Sequence, residues 1–175
     1  MQNLTPDDRA REALALLSHA HSAKRRAAAK VLRRLRTVAA CPALRLALEA
    51  ELATPRTSET QYHLVMALGG CGCEEAIPLL QSIAGRQVEH MVLLAAGDAI
   101  ARLTPESGRS DAILGLMESS SPALAEGGLR AVAMLRWTPP EGTLRAVLTY
   151  ARIPALASGP PRQPRVGTDR RFASS

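Results

Sequence analysis

At 175 residues the chain fits a single domain, long enough to bury a core of its own if it is compact or repetitive. It holds 31 Ala and 25 Leu but only four aromatic residues; since Ala and Leu favour helices and strand-favouring residues are few, this composition argues against a β-rich fold and predicts an all-α one. The formal charge of +6 is divided into +6 over residues 1–56, −4 over 57–150 and +4 over 151–175, so the basic ends favour an acidic partner.

Nine helices are predicted from apolar positions three and four residues apart. Several of their starts carry Ser or Thr followed by Pro, because the hydroxyl can cap free backbone amides and Pro fits the first turn. These starts are Thr5-Pro6, Thr54-Pro55, Ser121-Pro122 and Thr138-Pro139. The predicted segments cover about 5–18, 22–38, 43–53, 57–68, 74–84, 88–103, 110–118, 122–136 and 140–152.

The predicted helices form pairs, and the pairs recur along the chain. When the second helix of each pair is aligned on its apolar centre, Val31, Ala67, Ala99 and Ala133 correspond, at steps of 36, 32 and 34 residues. A period in the thirties with two helices per unit is typical of an α-solenoid.

The stretch LGGCGCEEAIPLL, residues 68–80, resembles the junction between bacterial HEAT-like repeats, a kind also found in phycobilin-lyase-type proteins. The resemblance implies a right-handed α-solenoid of about four helix pairs in a domain at 1–152, whose second helices line a concave surface. Residues 153–175 then form a Pro/Arg-rich irregular tail. The matching positions are Ala67, Leu68, Gly69, Gly72, Ala76, Ile77, Pro78 and Leu80.

Cys71 and Cys73 lie in this junction, one glycine apart. We interpret them as structural: the neighbouring Gly69, Gly70 and Gly72 allow positive φ, Cys71 acts as a small apolar residue, and Cys73 stands at the family's usual capping Asp. The alternative is a metal or redox site completed by a neighbouring His or by Cys41. Zinc sites prefer wider Cys-x2-4-Cys pairs, so we expect no metal.

Location is predicted from what the sequence lacks. It contains no apolar run of 18 residues and no signal-peptide pattern at its start. Its three cysteines are a small and odd number, which argues against a secreted disulfide framework. We therefore expect a cytoplasmic protein that does not insert into membranes.

Residues 23–36, AKRRAAAKVLRRLR, carry seven basic residues and no acidic one. On a helix, Arg26, Lys30 and Arg33 share the polar face, and Arg25, Arg34 and Arg36 flank it. The predicted buried face is Ala27, Ala28, Val31, Leu32 and Leu35. This pattern favours an anion-binding patch for an acidic protein surface or a phosphate backbone; the simpler alternative is a solvated helix face.

Later second helices are predicted to place further polar residues in the same groove. Gly97 costs helix stability, so it is expected to mark close packing between repeats. The polar residues are His63, Asp98, Arg102, Glu126 and Arg130. In the tail, Arg162 and Arg165 with Phe172 as an anchor suggest a docking peptide, and a plain solubilising tail is the alternative.

The sequence therefore predicts a non-catalytic scaffold or adaptor that binds an acidic protein partner, with no catalytic residue, cofactor or metal. A nucleic-acid-binding protein using the same basic helix is the alternative, although aromatic stacking groups are few. A third possibility, a catalytic HEAT-like protein, requires a pocket around Asp98 lined by Tyr62 or Trp137.

Overall fold

The computed structural model describes residues 5–152, and every regular element in that range is helical. The α-helices are α1 Pro6–Leu16, α2 Ser22–Leu35, α3 Cys41–Leu52, α4 Ser58–Cys71, α5 Ile77–Ser82, α6 His90–Leu103, α7 Glu106–Glu118, α8 Pro122–Leu135 and α9 Glu141–Ala151. Short 3-10 turns precede α3, α4 and α5, and a fourth follows α5. The all-α prediction and the order of the nine helices are confirmed over the described residues, with α7 beginning four residues earlier than predicted.

Hydroxyl capping at the Ser/Thr-Pro starts is confirmed only at α1. There the Thr5 hydroxyl accepts the backbone N–H of Asp8 at 3.2 Å, and the Asp8 carboxylate accepts from the Thr5 backbone. The hydrogen bonds from Thr5 lower the pKa of Asp8. At α8 the prediction is wrong, since Ser121 precedes the helix but its side chain makes no capping bond.

The helices form two layers. In one layer α2, α4, α6 and α8 pack side by side in chain order, and they constitute the second-helix layer. The other layer consists of α1, α3, α5 and α7, each packed on the second helix that follows it, while α9 packs on α7. This arrangement is that of an α-solenoid in which each repeat contacts its neighbours.

Leucines fill the interior of the stack and alanines let the helices approach one another. Leu32, Leu44, Leu64, Leu68 and Leu80 are fully buried. Each such side chain contributes on the order of 2 kcal/mol by leaving water. Between helices the contacts are made by fully or almost fully buried alanines, among them Ala28, Ala29, Ala67, Ala96 and Ala99.

Helices α6 and α8 cross each other closely at two glycines. A Cβ atom placed on Gly97 would lie 2.0 Å from the carbonyl oxygen of Leu124, and one on Gly127 would lie 1.9 Å from that of Leu94. Only glycine fits at either position, because real Cβ contacts begin near 3.0 Å. The prediction that Gly97 marks close packing between repeats is confirmed.

The three glycines before α5 do two different things. Gly72 ends α4 with φ of +78°, as predicted for the turn. Gly69 and Gly70 lie inside α4 instead, so the expectation of positive φ there is wrong. They provide close approach: a Cβ on Gly69 would lie 3.0 Å from that of Ala99 on α6, and one on Gly70 would lie 2.9 Å from Cγ of Arg33 on α2.

The cysteines are structural, Cys71 as a buried residue as predicted and Cys73 through a disulfide that was not predicted. Cys71 is buried, its thiol donates to the carbonyl of Leu32 at 3.4 Å, and burial raises the pKa of that thiol. Cys73 does not cap a helix; it forms a disulfide with Cys41, with their Cα atoms 5.3 Å apart. This bond joins the start of α3 to the turn before α5, one repeat further on. This pairing was not predicted from the sequence.

Candidate interaction surface

Helix α2 is amphipathic, as its sequence predicts, but its buried face is rotated about the helix axis relative to the predicted one. Ala28, Ala29 and Leu32 are buried, whereas Ala27, predicted to point inward, is exposed. The rotation follows from packing against α4, whose Gly70 receives the aliphatic part of Arg33. The basic residues nearest α4 therefore lie along the junction between the first two helices of the second-helix layer.

Arg25 points into the protein rather than into the groove. Its guanidinium contacts the Glu51 carboxylate at 2.5 and 2.6 Å, and it also donates to the carbonyls of His19 and Ala20. The Glu51 side chain is only 1% exposed and also accepts from Ser22 at 3.0 Å. This buried network ties α2 to the end of α3, so the placement of Arg25 is that of a structural residue.

Of the other basic residues of α2, one forms an ion pair and the rest are exposed without one in the part of the chain that the structure describes. Arg26 forms an ion pair with Glu59 of α4. Lys30, Arg33 and Arg34 are exposed and have no ion-pair partner within residues 5–152. The uncompensated charge next to α4 is thus carried by Lys30 and Arg33.

His63 projects from α4 into this basic environment. Burial lowers its pKa below the usual value, and the charges of Lys30, Arg26 and Arg33 lower it further against the opposing effect of Glu59. The imidazole is therefore neutral at pH 7 and adds no positive charge to the surface.

Asp98 and Arg102 lie one turn apart on α6 and are paired with each other. Nε and Nη2 of Arg102 donate to the two carboxylate oxygens at 2.6 and 3.1 Å, and both side chains are partly buried. Arg130 of α8 lines a cavity together with Asp98, whereas Glu126 is exposed and lines none of the cavities that the described residues form around this pair.

Two adjoining cavities cross the exposed face of the second-helix layer and share Met66 and Asp98. The smaller, of about 260 Å³, lies between α4, α6 and α8. The larger, of about 480 Å³, reaches from α2 to α8, and we name it the arginine–methionine groove. It is lined by Arg33, Arg36, Met66, Gly69, Gly70, Asp98, Arg102, Met134 and Leu135.

The structure thus brings Arg33, Asp98 and Arg102 together in one groove and leaves Arg130 in the adjoining cavity. Arg25 is paired with the buried Glu51 instead. Sequence reasoning missed the apolar lining. Met134 is 74% exposed and Leu135 38% exposed. The signal in the sequence is only that two large apolar residues lie together near the end of the predicted helix 122–136. Arg162, Arg165 and Phe172 lie outside the described residues.

The pocket that a catalytic role requires, around Asp98 and lined by Tyr62 or Trp137, is present with Tyr62, which lines the smaller cavity with Asp98. Trp137 lies elsewhere, with its ring centroid 5.4 Å from the guanidinium carbon of Arg109. Within residues 5–152, no group of three or more His, Cys, Asp and Glu side chains is placed to hold a metal ion. None of the helices described is long and apolar enough to cross a membrane.

Stacked helix pairs with a shared exposed layer define an α-solenoid repeat protein. Residues 24–50 and 60–84 match the family model described as PBS lyase HEAT-like repeat, so the chain carries HEAT-like repeats, as its junction motif predicts. Each matched segment contains the second helix of one pair and the first helix of the next: α2 with α3, and α4 with α5. No curated protein sequence and no solved structure matches the chain.

Proposed function

We propose that the protein is a non-catalytic interaction module, a scaffold or adaptor subunit, that binds an acidic partner protein through the exposed face of its second-helix layer. The observation that carries this proposal is the pair of adjoining cavities between α2 and α8. The uncompensated charge of Arg33 lies in the lining of one of them, and that of Lys30 lies one turn earlier on α2. HEAT-like repeats generally serve as protein-interaction scaffolds, which supports it.

Two features disfavour a catalytic role despite the word lyase in the family description. The Asp98 carboxylate is already held by two hydrogen bonds from Arg102, and Trp137 is engaged by Arg109 away from that pocket. Tyr62 alone shares the cavity with Asp98, which is an incomplete set for chemistry on a bound substrate.

The proposal treats residues 1–152 as the repeat domain and residues 153–175 as a basic tail. In it Arg162, Arg165 and Phe172 form a second contact with the same partner, and the protein works in the cytoplasm. No cofactor is required, since binding rests on surface charge and apolar contact alone.

The test is affinity capture from a lysate of the native host, with and without nuclease, comparing the wild-type chain with Lys30→Glu/Arg33→Glu. The matched control is Lys24→Glu/Arg34→Glu, which changes the net charge equally on exposed positions of the same helix. We expect a protein captured at a fixed ratio that survives nuclease and is lost only with the first variant. Equal capture by wild type and both variants would refute a role for this surface.

Nucleic-acid binding is the alternative function, and the row of basic residues on α2 favours it. It predicts that captured protein disappears after nuclease treatment and that binding of a DNA duplex of about 20 base pairs falls steeply with salt. A salt slope equivalent to fewer than about two phosphate contacts would exclude it.

A further inference from the structure

The arginine–methionine groove carries a positive charge that its own residues do not neutralise. Three of its lining residues are arginines, and its one carboxylate, Asp98, is bound by Arg102 through two hydrogen bonds. Arg33 and Arg36 are exposed and pair with no carboxylate in the part of the chain that the structure describes. The groove therefore favours an occupant that supplies carboxylates or other anions.

The opposite wall of the same groove is apolar. Met134 and Leu135 on the last turn of α8 are exposed, and the partly buried Met66 lies in the floor. Methionine adapts its shape to a partner, and exposed apolar side chains beside a groove mark binding surfaces in many proteins. A small inorganic anion or a phosphate backbone would leave this wall unused, because neither offers apolar side chains to it.

The geometry of the floor fixes how Arg33 is presented. Gly70 has no side chain, and a Cβ there would lie 2.9 Å from Cγ of Arg33. The stem of Arg33 therefore lies across α4, so that its guanidinium is displaced from α2 towards the groove. A pre-placed guanidinium loses less side-chain entropy when it binds a carboxylate.

The volume of the groove limits the size of its occupant. Residues of α2, α4, α6 and α8 line it, and its volume of about 480 Å³ is larger than one side chain fills. The occupant is thus a peptide segment rather than a single side chain.

We propose that the arginine–methionine groove binds an acidic, amphipathic segment of a partner protein, with its carboxylates on Arg33 and Arg36 and its apolar side chains on Met66, Met134 and Leu135. The proposal rests on the proposed function, since it assumes a protein partner, and adds the chemistry by which that partner is recognised. Charge complementarity and the unneutralised arginines support a protein carrying Asp or Glu beside Leu, Met or Phe.

The test uses a displayed library of random peptides of about twenty residues, selected on the full chain, followed by fluorescence anisotropy of the enriched peptides. We expect enriched sequences that combine Asp or Glu with spaced apolar residues. Arg36→Glu/Met134→Ser should weaken their binding by about tenfold or more, and Met134→Ser alone by about threefold. Arg34→Glu, one exposed position from Arg33 but outside the groove, should change binding by less than about twofold.

Several outcomes would overturn this inference. They are the failure to enrich any peptide, enrichment of basic or purely polar peptides, affinity unchanged by Arg36→Glu/Met134→Ser, or a duplex DNA that binds more tightly than every peptide. The proposed function is judged separately by lysate capture. If that partner is lost with Lys30→Glu/Arg33→Glu but retained by Arg36→Glu/Met134→Ser, the scaffold proposal stands and the groove proposal fails.

Discussion

Replacing Gly97 with alanine tests the close crossing of α6 and α8. The new Cβ would lie 2.0 Å from the Leu124 carbonyl oxygen, 2.8 Å from its carbon and 3.0 Å from the backbone nitrogen of Gly128. All three are backbone atoms of α8, so no side chain can rotate away. Ordinary contact at about 3.4 Å requires α6 and α8 to separate locally by about 1.4 Å.

The loss in free energy of unfolding follows from the van der Waals contacts that this separation of α6 and α8 removes. A gap of 0.5–1 Å already forfeits a quarter to a half of the dispersion energy of an atom pair, and overpacked sites typically cost about 1–3 kcal/mol. Because backbone must move here, we take the upper end, about 3 kcal/mol. Alanine's better helix propensity returns about 1 kcal/mol, which leaves a net loss of about 2 kcal/mol.

The matched control is the same substitution at Gly115, which is exposed within α7 and has no atom within 4 Å of a built Cβ. There only helix propensity acts, so Gly115→Ala should stabilise the protein by up to about 1 kcal/mol. Urea unfolding followed by circular dichroism at 222 nm measures both. Gly97→Ala should lower the free energy of unfolding by about 2 kcal/mol, or the Tm by roughly 4–8 °C. If it proves as stable as Gly115→Ala, the helices do not cross this closely and the reasoning fails.

Three further predictions concern the interior and the surface charge. Arg25→Ala should lower the free energy of unfolding in urea by about 3 kcal/mol, because it leaves the buried Glu51 carboxylate without its guanidinium. Arg34→Ala on the same helix should change that free energy by less than about 0.5 kcal/mol. Similar losses for both variants would refute the buried network. In denatured, unreduced protein, alkylation should modify one cysteine, and modification of all three thiols would contradict the pairing. Loss of the Cys41–Cys73 disulfide, which spans 32 residues, should lower the free energy of unfolding by about 3–4 kcal/mol. His63 should titrate below its unfolded pKa of about 6.5 in NMR spectra, so its contribution to stability is present above pH 6.5 and is lost as the pH falls towards the lowered folded pKa. A folded pKa at or above 6.5 would contradict the effects of burial and of the neighbouring positive charges on this imidazole.

Helix order could be predicted from the sequence because it depends on local spacing. Apolar positions three and four apart and repeated starts at a period in the thirties gave nine helices in the described range. The start of α7 at Glu106 was missed although Thr104-Pro105 before it carries the same start signal as Thr5-Pro6. The roles of the glycines were also ambiguous, because the sequence does not distinguish a glycine in a turn, such as Gly72, from one at a close helix contact, such as Gly69.

The disulfide was missed although its spacing carries a signal. Cys41 and Cys73 are 32 residues apart, which is about one repeat, so stacking places them on the same edge of neighbouring units. Counting cysteines treats them as independent of the repeat and loses this information. A cytoplasmic location now has to be reconciled with a bond that reducing compartments disfavour, and the alkylation measurement bears directly on that point.

The direction of the basic side chains could not be predicted from α2 alone. Arg25 and Arg33 are both basic positions of one amphipathic helix, but the first meets a buried Glu51 from α3 and the second meets Gly70 from α4. Which arginine is internal depends on residues 26 and 37 positions away in the chain. Sequence spacing therefore identifies the helix as basic, and tertiary packing decides which of its charges remain available.

Packing of the repeats also bears on how tightly the groove can bind. The first two matched segments are joined by the Cys41–Cys73 disulfide, and α6 and α8 are joined by the crossing at Gly97. Both links lie behind or beside the exposed second-helix face and limit the relative motion of the helices that form it. A surface held in one arrangement loses little conformational entropy on binding, so more of the contact energy appears as affinity. Under the groove proposal, Gly97→Ala should therefore weaken the binding of a peptide in the arginine–methionine groove even though Gly97 does not line it.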